Sequence, residues 1–344
     1  MAAKSKPKFN YNAELKLLKQ RGPGGLWLLY GPEEYLRERY LDALRQLAVG
    51  DGNEFNCRRL NGQGLDLNEL SEAVNAMPFF AEGVFVEVRD YDLNRCKDAE
   101  LESFKRIVSD LPDYCTLAFV QSPAAEPDGR MAAVKALKKL GTALEFTEQD
   151  AGALVGWIAN RFRALGKQIG RSEAEYLIFL SGSNMNALIP EIEKVAAYAK
   201  GDRIERSDVD AAANRLPEAD VWAMTDLLSA RRYDAAAQVL SDLLGNKDNH
   251  PIFLTSLIGQ QLRRMYAVRC AQAAGRGKAD AMELAGVRYD FIYDKLSAAA
   301  KPYAPEQLGA LVSLCAEYDY RMKSSGLDPQ TLIRELFARI AAGV

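Results

Sequence analysis

The strongest constraint on this fold is a change of rhythm near residue 148. Before it, short apolar runs alternate with amphipathic helical stretches; after it, only helical periodicity recurs. GLWLLYG (25–31) is an apolar run closed by glycine, the pattern of a buried strand. EEYLRERYLDALRQLAVG follows, with Leu36, Tyr40, Leu44 and Leu47 at helical spacing. FNCRRLNG, GVFVEVRD (83–90), CTLAFVQ (115–121) and ALEFTE (143–148) read as further strands. DLNELSEAVNAM, DAELESFKRIVSDLP and RMAAVKALKKLG read as the helices between them. Strands alternating with helices predict a doubly wound parallel sheet. Beyond Asp150, ALVGWIANRFRALG, SEAEYLIFLSG and ALIPEIEKVAAYAKG predict three helices punctuated by Gly166, Gly170, Gly182 and Gly201, and SDVDAAANRLP predicts a fourth. From Ala219 onward the chain reads as amphipathic helix broken at 245–251, 273–280 and 301–305. The expected fold class is α/β plus all-α: an α/β domain over 1–148, a small helical domain over 149–215 and a larger helical domain over 216–344.

A chain of 344 residues is too long for one compact core. No apolar run has the length of a membrane span. The N-terminus, MAAKSKPKFN, is polar and basic with no apolar stretch behind its charges, so it is not a secretory signal and the expected location is cytoplasmic. Its Lys4, Lys6 and Lys8 read as a solubilising tail that could also brush nucleic acid. Lys plus Arg number 44 against 47 Asp plus Glu, a net charge of -3, which is not the global charge of a protein living on nucleic acid alone. Cys57, Cys96, Cys115, Cys270 and Cys315 form no C-x-x-C pair and read as free, mostly buried thiols. The only histidine, His250, precedes Pro251 in a polar break and reads as a helix-boundary residue. That leaves little material for a zinc site or a Ser-His-Asp triad, and the chain does not read as an enzyme.

The first strand–loop–helix is where a nucleotide-binding α/β domain keeps its phosphate loop, G-x-x-x-x-G-K-[ST]. Here the first glycine is Gly31, but the closing positions are Leu36, Arg37 and Glu38. A leucine puts a β-carbon where backbone must close on phosphate. Glu33, Glu34 and Glu38 would repel the anion. The loop is therefore degenerate, and no nucleotide or other cofactor is expected. Glu87, Asp90 and Asp92 at the next strand end could suggest a magnesium site; without a phosphate loop they read as solvated strand-end charge.

AMPFFAEG (76–83) stands apart. Met77, Pro78, Phe79 and Phe80 follow the helix predicted over 66–76, and Pro78 disfavours helical continuation through Met77. Two adjacent aromatics cannot both face one core from a short turn. One reading is an outward apolar anchor for a partner's pocket; the other is a plug packing the helix onto the sheet.

Several segments together resemble the delta subunits of bacterial DNA polymerase III clamp loaders. LWLLYGPEEYLRERYLDAL (26–44) looks like that family's opening strand and degenerate phosphate loop. EAVNAMPFFAEGVFVEVRD (72–90) looks like its clamp-binding element and following strand. ALVGWIANRFRALGKQI with ALIPEIEKVAAYAKGDRIERSDVD resembles its lid, and residues 226–269 with LDPQTLIRELFARI resemble its collar. Each motif alone is loose, but their order and spacing are specific, and the likeness runs over nearly the whole chain. The resemblance implies an AAA+-like first domain, a helical lid and a helical collar. It implies a non-catalytic subunit that binds the sliding clamp (beta subunit) and opens its ring for loading onto primed DNA. It also implies partnership with gamma/tau and delta-prime subunits through the collar. Phe79 and Phe80 fall on the family's hydrophobic wedge, with Met77 and Pro78 flanking it; Phe-Phe stands where many relatives carry Leu-Phe. The zinc-binding cysteine cluster and Ser-Arg-Cys motif usual in delta-prime are absent from the sequence.

Arg231, Arg232, Arg263, Arg264 and Arg269 read as lying on helices of the third domain. They offer cations to DNA phosphates or partner subunits, or are solvated helix surface. Tyr266, Tyr289, Tyr293, Tyr318 and Tyr320 read chiefly as helix-packing residues. Two other classes compete. An active AAA+ ATPase with an unusual phosphate loop would bind nucleotide. A helical scaffold without a clamp partner would bury Phe79 and Phe80.

Overall fold

The computed structural model describes residues 9–50, 54–96 and 98–343, with 98 and 99 described by backbone alone; Lys4, Lys6 and Lys8 lie outside the described residues. The chain divides into two compact units, Met1–Gln149 and Asp150–Val344.

The first unit opens with α1 (Tyr11–Arg21), capped by the Asn10 side chain, which accepts from the Ala13 N–H. There follow β1 (Gly25–Tyr30), α2 (Glu34–Val49), β2 (Cys57–Asn61), α3 (Leu67–Val74), β3 (Val84–Arg89), α4 (Asp98–Ser109), β4 (Cys115–Val120), α5 (Ala132–Leu140) and β5 (Thr142–Glu145). The strands form one parallel sheet in the order β2-β3-β4-β1-β5.

The sheet is covered on both faces, which is why its inner strands β1, β3 and β4 are largely apolar, with Glu87 of β3 and Thr116 of β4 as buried polar exceptions. Leu26, Leu28 and Tyr30 of β1, Val84, Val86 and Val88 of β3, and Leu117 and Phe119 of β4 share one core. The apolar sides of α3, α4 and α5 (Leu70, Val74, Phe104, Val134, Leu137) complete it. The alternate residues face α2: Trp27 lies 6.0 Å from the Tyr40 ring, and Tyr40 lies 5.7 Å from Phe146. The helix after β1 and the helix after β4 therefore lie on opposite faces of adjacent strands. That reversal opens a crevice at the carboxyl ends of β1 and β4, the usual ligand position in such sheets.

The second unit contains α6 (Ala151–Ala164), β6 (Gln168–Ile169), α7 (Arg171–Ser181), α8 (Met185–Tyr198), β7 (Arg203–Ile204) and α9 (Arg206–Ala212). It continues through α10 (Pro217–Ser229), α11 (Tyr233–Gly245), α12 (Pro251–Ala273), α13 (Lys278–Ala285), α14 (Asp290–Ala300), α15 (Pro305–Ser324) and α16 (Pro329–Ala342). Strands β6 and β7 pair in parallel as a two-stranded ribbon. The long helix α12 packs against α15, and both belong to a core built from Leu254, Ile258, Met265, Leu311, Tyr318 and Leu336. The expected division between 215 and 216 falls within this unit. There Phe179 of α7 stands edge-on to Trp222 of α10 at 5.6 Å, and the Lys295 ammonium of α14 lies 4.1 Å above the Phe179 ring.

His250 is the N-cap of α12, its Nδ1 accepting from the Ile252 N–H at 3.3 Å. The cysteines are free, but only Cys115 and Cys315 are buried; Cys57, Cys96 and Cys270 are half-buried, contrary to the mostly buried expectation. Cys57 opens the edge strand β2, which pairs with β3 on one side alone. Among the described residues no helix is long and apolar enough to cross a membrane, and no cluster of His, Cys, Asp or Glu could hold a metal.

Candidate functional site

The crevice between β1 and β4 is filled by the protein itself. Arg37, at the position of the phosphate-loop lysine, is buried, and its guanidinium donates to the carbonyls of Gly31 at 3.0 Å and Gln121 at 3.1 Å. It stitches the exits of β1 and β4 together where an anion would sit. The loop's own N–H groups are also engaged: Glu33 N–H donates to the Phe146 carbonyl and Arg37 N–H to the Glu33 carbonyl. Gly31 has φ 116, and a β-carbon there would stand 2.5 Å from the Phe146 oxygen, so the loop leans on the exit of β5. Leu36 is buried under the sheet.

The carboxylates around this loop are accommodated in two ways. Glu33 is buried, and loss of solvent, helped by the neighbouring Glu148 charge, pushes its carboxyl up to about 7 against the opposing Gln149 N–H. Glu38 accepts from Arg89 at 2.6 and 3.1 Å and lies 3.6 Å from Arg37. Glu87, expected as solvated charge, is fully buried instead. The register of β2 and β3 sets Arg59 beside it at 3.4 Å, and Arg89 meets it at 2.5 Å. Two guanidiniums offset the cost of burying that carboxylate. Asp90, at φ 54, accepts from the Ser122 N–H, and Asp92 stays exposed near Arg95.

The second feature lies at the opposite, amino-terminal edge of the sheet. Helix α3 stops at Val74, with Asn75 as its cap, and the chain runs through Met77–Phe80 before entering β3. Met77, Phe79 and Phe80 are 79%, 63% and 89% exposed, with Pro78 half-buried. The two phenyl rings meet edge-on at 4.5 Å and 78°. Both ends of the segment are fixed. The Tyr114 hydroxyl donates to the Asn75 carbonyl at 3.3 Å; a β-carbon on Gly83 would stand 2.8 and 2.9 Å from the Ala48 and Tyr114 oxygens.

Two neighbours of this loop were not visible in the sequence. Asn56, in the turn before β2, hydrogen-bonds the Phe79 backbone through both ends of its carboxamide. Phe55, beside it in the same turn, is 87% exposed. Only the pairing of β2 with β3 brings these residues to the loop, Asn56 lying 23 positions before Phe79.

In the second unit, Arg231 and Arg232 lie not on helices but in the turn between α10 and α11, where Arg231 takes φ 57. Both are exposed. The N–H groups of Arg231 and Arg232 close the end of α10 on the Leu228 and Leu227 carbonyls, which explains the turn. Arg263 and Arg264 do lie on α12 and line a cavity of about 440 Å³ with Gln260, Glu283, Leu284 and Gly286. Burial pushes the Arg264 guanidinium down. Arg269 donates to the Tyr303 carbonyl and to Gln272, a packing role. Of the tyrosines, Tyr318 is buried and hydrogen-bonded to Glu335, whereas Tyr320 is exposed.

Fold and site together define a class: an α/β-plus-helical protein with the exits of β1 and β4 bridged by Arg37 and an apolar loop exposed at the other end of the sheet. The chain belongs to the DNA polymerase III delta subunit family. The family model for DNA polymerase III, delta subunit, matches residues 27–147, and that for the DNA polymerase III delta subunit, C-terminal domain, matches residues 218–340. The DNA polymerase III subunit delta of Bacillus subtilis (strain 168) is 27% identical over 335 residues, covering 94% of each chain. A probable DNA polymerase III subunit delta of Aquifex aeolicus is 22% identical over 319 residues, covering 90% of this chain and 89% of its own length. The solved Bacillus subtilis DNA clamp loader delta protein superposes with a TM-score of 0.58 at 22% identity, over 96% of this chain and 98% of that one, a likeness of fold.

Proposed function

We propose that this chain is the non-catalytic clamp-loader subunit that binds the sliding clamp through Met77, Pro78, Phe79 and Phe80 and holds its ring open for loading onto primed DNA. The observation that carries the reading is the exposed Phe79–Phe80 pair on a segment pinned at both ends, in a chain of this family. Two adjacent exposed phenylalanines keep a large apolar area in water unless a partner pocket covers them. A scaffold without a clamp partner would have no use for that exposure.

The mechanism is binding linkage. The subunit opens the ring only to the extent that it binds the open clamp more tightly than the closed one. No bond is made or broken in this chain, and a crevice filled by Arg37 offers no place for the phosphates an ATPase reading needs. Gamma/tau and delta-prime subunits would engage residues 216–344 as the collar, with 149–215 as the lid. Exposed Arg231 and Arg232, and Arg263 with Arg264 beside their cavity, are the cations available for DNA or partner contacts.

Ring opening is tested by loading the cognate clamp on nicked circular DNA and timing its release with this chain alone, without nucleotide. The reading predicts faster release with the wild type and none above background with Phe79→Ala/Phe80→Ala. Release at the uncatalysed rate with the wild type contradicts it.

A further inference from the structure

We propose that Asn56 is the positioning residue of the Met77–Phe80 loop: its carboxamide holds the Phe79 backbone in the conformation that presents both rings. The binding consequence rests on the clamp reading above; the holding of the loop does not.

Asn56 is 4% exposed, at the end of a short turn leading into the edge strand β2. Its Nδ2 donates to the Phe79 carbonyl at 2.9 Å, and its Oδ1 accepts from the Phe79 N–H at 2.7 Å. A carboxamide carries a donor and an acceptor side by side, so it pairs with one residue's N–H and C=O as a neighbouring strand would. Aspartate offers acceptors only, and alanine offers neither. Asn75 and Gly83 fix the ends of the segment; among the described residues the Asn56 bonds are those that grip its middle.

The middle needs a grip. Phe80 sits at φ 49, a region that residues with a β-carbon avoid. Its ring and that of Phe79 are exposed, so packing against the core does not hold the turn in place. Strained backbone persists where the surroundings over-determine it, and here Asn56 adds to the two fixed ends the hold on the residue next to Phe80. Without it the loop would populate the presenting conformer only part of the time, and apparent affinity would fall by that fraction.

The test uses the full chain as wild type, Asn56→Ala, Asn56→Asp and Phe79→Ala/Phe80→Ala. Amide exchange at Phe79 needs no clamp. We expect protection in the wild type, exchange about tenfold faster or more in Asn56→Ala, and unchanged exchange in β1 and β4. Asn56→Asp, close in shape and keeping the acceptor, should fall between and serves if the alanine variant folds poorly. Affinity for the purified clamp should drop about tenfold in Asn56→Ala. In the Phe79→Ala/Phe80→Ala background the same change should cost nothing further, because the backbone that Asn56 holds then presents no ring. Unchanged Phe79 exchange in Asn56→Ala overturns the inference, as does an equal affinity loss in both backgrounds. Wild-type clamp binding by Phe79→Ala/Phe80→Ala overturns only the clamp reading of the loop.

Discussion

Glu38 of α2 and Arg89 of β3, 51 residues apart in sequence, are joined by two hydrogen bonds of 2.6 and 3.1 Å. Glu38 stands where a phosphate loop places the hydroxyl that holds magnesium. Its hydrogen bond is the main influence raising the Arg89 guanidinium, against opposing burial. The pair locks the loop helix to the strand end, with Arg37 plugging the crevice beside it. Adding magnesium and ATP should leave the thermal midpoint unchanged, since a ligand stabilises only what it binds. A clear upward shift would restore the ATPase reading.

Arg37→Met should destabilise the first unit by about 2–4 kcal/mol. The substitution strips the Gly31 and Gln121 carbonyls of a buried charged donor and leaves Glu38 short of a cation. Chemical denaturation followed by tryptophan fluorescence would measure it, because Trp27 lies in this unit's core. A loss below ~0.5 kcal/mol would mean that Arg37 does not hold the crevice.

Glu33 makes stability pH-dependent with a definite sign. Its carboxyl sits at about 7 in the folded chain against an ordinary value of 4.5. The folded state therefore binds the proton more tightly, and stability falls as pH rises from 4.5 through 7. Glu33→Gln should remove that part of the slope and make the protein more stable than wild type at pH 8. The expected gain is about 1–2 kcal/mol, after discounting for the solvent that reaches the loop. Parallel pH–stability curves for the two proteins would contradict this account.

Phe55→Ala, Phe79→Ala and Phe80→Ala should each change unfolding free energy by less than about 0.5 kcal/mol, because these rings stand mostly in water. Phe104→Ala, fully buried in the same unit, should cost about 3–5 kcal/mol. Urea melts of the four variants make the comparison. A core-sized loss at Phe79 or Phe80 would return that ring to the role of a plug.

Much of this fold was legible because apolar periodicity is written along the chain. The runs at 25–31, 83–90 and 115–121 became β1, β3 and β4, strands covered on both faces, which short apolar runs bounded by turn residues suit. Helix α1 carries no periodic signal, because Leu18 is its one buried residue. Strands β6 and β7 are two residues each, below any pattern. The degenerate phosphate loop was legible from Leu36, Arg37 and Glu38. The partners of Arg37 and Glu38 were not, since the Gln121 carbonyl and Arg89 arrive from the ends of β4 and β3. Exposure of Phe79 and Phe80 was one of two readings open from Pro78. Asn56 and Phe55 could not be chosen in advance, because a lone Asn or Phe becomes meaningful only once β2 pairs with β3.

The central claim is that Phe79 and Phe80 seat this chain on the sliding clamp. Its most direct test is titration calorimetry of the full chain with the cognate clamp, wild type against Phe79→Ala/Phe80→Ala. The account predicts saturable binding by the wild type and a loss of at least ~2 kcal/mol in the double variant, the size expected when central aromatic anchors are removed. Equal affinity for the two proteins, or no binding by the wild type where a control clamp ligand binds, would contradict it.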